Sequence, residues 1–511
     1  MRRHSPHPVS AALMVLVLVV TNARAAESTA GAALGSISAG DLRRHVEVLA
    51  DDMLEGREAG SRGGHAAAHY LGREFQKHRL AGGAGPRSYY QAFGAQYRNI
   101  LGLLEGSDPQ LKRELIVVSA HYDHVGYGNE QNSFGPTGFI HNGADDNASG
   151  AAAIVELVEA FAQLEPRPAR SILFALWDGE EKGLLGSEHW VAHPTWPLAQ
   201  VRMVINLDMI GRLRQDKVEL YGGRTSAGLR RLVSMNNVAA NLLFDFSWTM
   251  REDSDHYSFY KRGMPVLMFH TGLHGDYHRP SDDVEKLDYS GMQRLAHVLF
   301  GLVRQLADEP RLAAFRSAAR SESASVREWR ERPLPPLGGR LGVTWNPADE
   351  RLGRGLRVTH VMAGSAAARA GVRPGDRILK FAGREVVDGA SFRSWVLAAQ
   401  NPAVLEVARG GVEKPIELRV QLAGQPLRLG ISWRLDDAEP GVVILARVVP
   451  DSPAARAGLR VNDRIYEVAG HSFSNEAELR QLVSDPAAES LELLTERQGR
   501  LQSVRLELPR P

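Results

Sequence analysis

The stretch LIVVSAHYD, Leu115 to Asp123, decides how the rest of the chain is read. Its first five residues are a short apolar, β-branched run bounded by polar turns, which predicts a buried strand. A His-x-Asp pair, His121 and Asp123, follows at once. Three further runs have the same character, namely SILFAL at Ser171–Leu176, MVINL at Met203–Leu207 and PVLMF at Pro265–Phe269. Helical segments lie between and around them, near Ala148–Leu164, Leu184–Ala192, Ala227–Ala239 and Tyr289–Leu306. This alternation predicts an α/β domain over residues 40–310, a mainly parallel central sheet flanked by helices. The functional loops of such a sheet lie at the carboxyl ends of its strands.

Acidic and imidazole groups recur at those places. GADDNASG at Gly143–Gly150 puts Asp145 and Asp146 in a turn before a helix, and Glu180-Glu181 comes just after SILFALW. Asp208 follows an apolar strand in VINLDMIG, where a charge is costly unless paired or metal-bound. HTGLHGDYHRPSDD offers His270, His274 and His278 in a Gly- and Pro-broken loop. Each motif alone also reads as a surface histidine, an Asx turn with an N-cap, or a solvated acidic turn. Five in succession on one predicted sheet favour a metal site. The chain has no cysteine, so its ligands must be His, Asp and Glu.

Beyond a Ser/Arg/Glu-rich stretch and the run PLPPLGG, read as a linker over 311–335, the chain repeats itself. GSAAARAGVRPGDRILKFAGREV begins at Gly364 and DSPAARAGLRVNDRIYEVAGHSF at Asp451, with twelve of twenty-three aligned positions identical. RLGVTW at Arg340 and RLGISW at Arg428 also correspond, so two β-rich modules are predicted over 336–424 and 425–511. The 61 basic and 60 acidic residues are scattered, which leaves no electrostatic footprint for nucleic acid. At the front, Arg2 and Arg3, an apolar run from Val9 to Val20 and the small residues Ala23 and Ala25 read as a signal peptide cleaved after Ala25. The run is too short for stable membrane insertion. The expected location is therefore the periplasm or the outside of the cell.

In their order HYD, GADDNASG, EE, NLDMIG and YHRPSDD, the motifs resemble the co-catalytic di-zinc aminopeptidase family over about Leu42–Leu306. The repeats resemble PDZ domains of bacterial envelope proteases. The first resemblance implies that Asp146 bridges two metals, that His121 and Asp208 complete one site and that Glu181 and His278 complete the other. His278 is preferred to its neighbours because it matches the family's YH-x-x-x-D pattern. Glu180 matches the general base, Asp123 would orient His121, and Tyr277 matches a residue that steadies the tetrahedral oxygen. Two Zn²⁺ ions per chain are implied, although Mn²⁺ or Co²⁺ also suits so oxygen-rich a set. The implied reaction is aminopeptidase hydrolysis by a water between the metals, with carboxypeptidases and dipeptidases in the same family.

The PDZ resemblance implies loops at Leu341-Gly342-Val343 and Leu429-Gly430-Ile431 that hold the C-termini of partner proteins. A glutaminyl-cyclase-like transferase and a catalytically silent PDZ scaffold are the alternatives. A serine protease is excluded, because no G-x-S-x-G turn is present.

Overall fold

The computed structural model describes residues 28–508 other than 86, 349–354 and 486, and the predicted leader lies outside them. The chain forms two compact units, the first running to Ala324 and including Gln498–Arg500, the second made of Ser325–Arg497 and the residues from Leu501 on. Strands of the first are β1 (Ala81–Gly82), β2 (Tyr90–Phe93), β3 (Tyr97–Leu104), β4 (Leu115–His121), β5 (Ser171–Trp177), β6 (Val201–Leu207), β7 (Lys217–Tyr221), β8 (Leu243–Phe246) and β9 (Val266–His270). They form one sheet in the order β1-β3-β5-β4-β6-β9-β7-β8, with β2 paired to β3. The central pairs β5–β4, β4–β6 and β6–β9 are parallel, whereas β3 and β7 join antiparallel.

Burial on both faces explains the unbroken apolar runs of the central strands. Ile116, Val118 and Ala120 enter one core cluster and Leu115 and Val117 the other. The first cluster is closed by the helices Ala39–Leu49, Arg62–Lys77, Gly150–Ala162 and Tyr289–Asp308. Helix Gly150–Ala162 is apolar on nearly every face because all of it but Glu159 and Ala162 is buried. Helix Tyr289–Asp308 is amphipathic, and its N-cap Asp288 accepts the Gly291 N–H at 2.9 Å. From β4 the chain crosses to β5 on one side and to β6 on the other, which opens a crevice at the carboxyl ends.

The predicted linker is folded in its first half. Arg316 N–H donates to Thr225 O at 2.7 Å, Ser226 Oγ to Ala313 O at 2.8 Å, and Arg224 and Arg316 both pair with Glu322. A helix, Ala324–Arg330, ends just before the proline run. Among the described residues no helix is long and apolar enough to cross a membrane.

The second unit holds two six-stranded sheets of identical topology. Its repeated residues do repeated work. Ser365 and Ser452 cap short helices, accepting the Ala368 and Ala455 N–H groups. Asp376 takes a two-pronged pair from Arg409, as Asp463 does from Arg497. Arg340 donates to the carbonyls of Val396, Leu397 and Ala399 at the end of helix Gly389–Ala398, and Arg428 to those of Asp485 and Ala488.

Candidate metal centre

Three of the motifs found in the sequence stand at strand ends of the crevice: His121 closes β4, Glu180 and Glu181 follow β5, and Asp208 follows β6. The turn Ala144–Ser149 brings in Asp146 by bracing its neighbours against the segment after β6. Asp145 accepts the Gly211 N–H at 2.6 Å, and Asn147 donates to Leu207 O at 2.9 Å while accepting from Met209 N–H at 3.2 Å. With the residues on either side tied down, the Asp146 carboxylate is left facing the pocket. Asp282 fixes the same turn by accepting the N–H groups of Asp145 and Asp146 at 2.9 and 3.1 Å.

Asp146 faces two ways. Its Oδ1 lies 3.4 Å from His121 Nε2, which is also 3.5 Å from Asp208 Oδ1. Its Oδ2 lies 3.1 Å from His278 Nε2, itself 3.2 Å from Glu181 Oε2. Two groups of potential ligands result, His121 with Glu180 and Asp208, and His124 with Asp146, Glu181 and His278, the atoms of each within 4.8 Å of one another. His270 also lines this pocket, but neither it nor His274 belongs to these two groups. His270 Nδ1 accepts the Gly272 N–H at 2.6 Å, and His274 Nε2 is 3.1 Å from Asp145 Oδ2.

Asp123 departs from its expected part. It meets His121 Nδ1 through its backbone carbonyl at 3.2 Å, while its Oδ1 is 3.8 Å away. The carboxylate instead accepts the N–H groups of Glu180 and Glu181 at 3.1 and 3.3 Å. A short His-x-Asp spacing made the side chain the obvious partner, but the tight turn gives that place to the carbonyl. Tyr277 lines the pocket with its ring 4.0 Å from that of His278, and burial among carboxylates pushes its hydroxyl well up, so it keeps its proton.

Two residues escaped the sequence reading. His124 is fully buried, and its Nδ1 stands 2.8 Å from Glu181 Oε1, which can only accept. Arg57, also fully buried, donates to Tyr122 O at 3.0 Å, Leu49 O and Asn142 O at 2.6 Å each, and Gly143 O at 2.9 Å. It therefore binds the turn that carries His121 to the one that leads into Asp146. Burial pulls its guanidinium down to about 10, against the pull of Asp146, Asp123, Asp282 and Glu181.

Buried acid dominates the pocket. Burial and the adjacent Glu181 hold Glu180 well above the usual carboxylate range. Although burial opposes it, Asp146 and Glu181 drive His278 up to about 11. Protons on imidazole thus balance the carboxylates, a task suited to a divalent cation. Orientation agrees: His278 Nε2 is buried and close to two carboxylate oxygens, yet directs a hydrogen bond at neither. Such aim, with imidazole nitrogens and carboxylate oxygens as donors, fits zinc.

Residues 99–303 match peptidase family M28, and residues 357–409 and 444–497 each match the PDZ domain, so the chain carries an M28 peptidase domain followed by two PDZ domains. It is 28% identical over 216 residues to aminopeptidase YwaD of Bacillus subtilis (strain 168), covering 40% of this chain and 44% of that protein. It is also 28% identical over 233 residues to leucine aminopeptidase 1 of Trichophyton rubrum, covering 41% and 58%. The chain thus spans about half the length of these relatives. The crystal structure of the Legionella pneumophila LapA aminopeptidase is similar over 56% of this chain and 76% of its own, at 21% identity and a TM-score of 0.47.

Proposed function

We propose that the chain is a zinc-dependent aminopeptidase that removes N-terminal residues from peptides, with the PDZ domains recruiting the C-termini of substrates or partners. The observation that carries this reading is Asp146, whose two oxygens face separate imidazoles, His121 and His278. In this reading Asp146 would serve both of two zinc ions, with His121 and Asp208 holding one and Glu181 and His278 the other. Zinc bound there acidifies a water and polarises the scissile carbonyl.

Glu180 takes the proton of the attacking water and returns it to the leaving amine. Asp123 steadies the Glu180-Glu181 turn through its two N–H groups, and His124 holds Glu181 at Oε1. The Tyr277 hydroxyl donates to the substrate oxygen that gains charge.

Metal analysis and a fluorogenic aminoacyl panel, run with and without added zinc, test the proposal. Two ions per chain and amine release are expected. At most one ion under saturating zinc, with no release from any substrate, would overturn it. On the strength of the leader Arg2–Ala25 we also infer export to the periplasm or beyond, so the mature protein should begin at or near Ala26.

A further inference from the structure

The two PDZ repeats share a sequence pattern but not an open loop. In both, the strand after the glycine loop is a sheet edge, Val343–Trp345 in the first and Ile431–Arg434 in the second. Met362 N–H donates to Gly342 O at 3.0 Å, so the Val343–Val361 pair is of the type whose own N–H and C=O groups point outwards, toward the free edge. Val449 N–H does the same to Gly430 O at 2.8 Å. Beyond this the repeats diverge.

In the second repeat the Gly430 N–H is already spent on Leu427 O at 3.0 Å. The Leu427 N–H in turn donates to Leu397 O of the first repeat at 2.9 Å, and Leu397 Cδ2 would stand 3.3 Å from a Cβ on Gly430. The second loop is therefore packed against the end of helix Gly389–Ala398. Among the described residues the Gly342 N–H has no such backbone acceptor. A groove of about 510 Å³ opens beside it, lined by Leu341, Val343, Phe392 and Val396 of the first repeat and by Val449 and Pro450 of the second.

The wall from the second repeat is anchored. Arg456 Nη1 donates to Ser394 Oγ at 2.9 Å and to Asp451 O at 2.6 Å, Ser394 Oγ donates to Asp451 O at 3.2 Å, and Arg393 Nε pairs with Asp451 Oδ2 at 3.0 Å.

We propose that the two PDZ repeats form one composite receptor, not two. The first takes a protein C-terminus that ends in an apolar side chain, and the second contributes the Val449–Ser452 turn as one wall while taking no peptide itself. The occupant follows from the parts: outward backbone groups of Val343 for strand addition, a free Gly342 N–H for a carboxylate, and apolar side chains around the end position. The inference rests on the recruiting role proposed above and deepens it.

The test uses the full chain and a fluorescein-labelled peptide pool, randomised over the three positions before a final Leu, Val or Ala, with the amidated pool as control. One peptide should bind per chain, and only with a free carboxylate. Pro450→Glu, an exposed change at the wall, should weaken binding by about tenfold or more, since it sets a charge against an apolar end. Leu482→Asp, on the helix Glu476–Val483 beside the second repeat's own edge strand, should leave affinity and stoichiometry unchanged. Circular dichroism and aminoacyl turnover show that each variant is folded. Two equivalent peptides per chain, or Pro450→Glu binding within about twofold of the parent, overturns the composite receptor. Absence of any binding overturns the recruiting role and this inference with it, while leaving the catalytic proposal to its own assay.

Discussion

The candidate metal centre and the proposed PDZ groove draw on different parts of the chain. In the peptidase domain the candidate ligand atoms belong to side chains carried to one pocket by five separate segments, with Asp146 between His121 and His278. In the first PDZ repeat they are backbone groups of three consecutive residues, shaped by Gly342 at φ 80° with the Ser365 side chain against it. A site of the first kind depends on a few atoms, and its energy is concentrated in buried charge. A site of the second kind is cheap to repeat, yet whether a copy works depends on its neighbours. The second repeat keeps the glycine at φ 78° but spends the N–H.

Single substitutions should expose this contrast, starting where charge is most concentrated. Asp146→Ala removes the oxygens that face both imidazoles, so zinc should be lost from both positions and turnover should fall to background, read by metal analysis beside the aminoacyl assay. Glu180→Gln keeps the shape of the pocket and should retain metal while turnover drops by about 10²–10⁴-fold. Retained turnover in that variant would remove Glu180 as the base. Arg57→Met acts one step further out. It frees the two ligand-bearing turns from each other and should weaken zinc binding by about 10–100-fold in a chelator competition, as loss of an outer partner does. Arg57→Lys keeps the charge but cannot reach four carbonyls, so it should restore only part of the affinity. Full recovery with Lys would mean that charge alone matters there.

The same contrast explains what the sequence disclosed. Strands β4, β5, β6 and β9 were readable because burial on both faces leaves unbroken apolar runs, whereas β7 and β8 carry Lys217, Glu219 and Asp245 near the sheet edge and show no such run. Asp208 stood out because a charged group directly after an apolar strand is costly without a partner, whereas His121, Asp146, Glu180, Glu181 and His278 were singled out by the order of their motifs, which resembles that of the di-zinc aminopeptidase family. Arg57 did not, since its partners are four carbonyls that sequence does not distinguish, and His124 was masked by the stronger His-x-Asp beside it. The carboxylate of Asp123 serves the Glu180-Glu181 turn, a contact between segments far apart in the chain. The repeat was plain, but the closing of its second loop lies in the Leu427–Leu397 contact, which no motif marks.

The smallest effect expected concerns where the peptidase domain stops. A chain ended after Ala324 keeps the whole proposed ligand set and loses from its own unit only Gln498–Arg500, which bond near β8 to Asn237, Asn241 and Phe244, so it should turn over small aminoacyl substrates within about twofold of the full chain. If such a protein is folded and zinc-loaded yet inactive on them, the PDZ domains shape the catalytic site and the recruiting role falls. A chain ended after Arg316 should differ subtly from it. Glu322, 7% exposed, receives Arg224 at 2.7 Å and Arg316 at 3.3 Å, and loss of that carboxylate leaves the two guanidinium groups without it. The cost should be about 1–3 kcal/mol, a midpoint lower by several degrees in thermal unfolding. Although burial opposes it, Arg224 and Arg316 hold Glu322 below its ordinary range, so its contribution is present above the unfolded value of about 4.3 and is lost as pH falls through the depressed one. The two shortened chains should therefore differ at neutral pH and converge in acid. Equal midpoints at neutral pH would show that residues 317–324 add nothing to the fold they pack on.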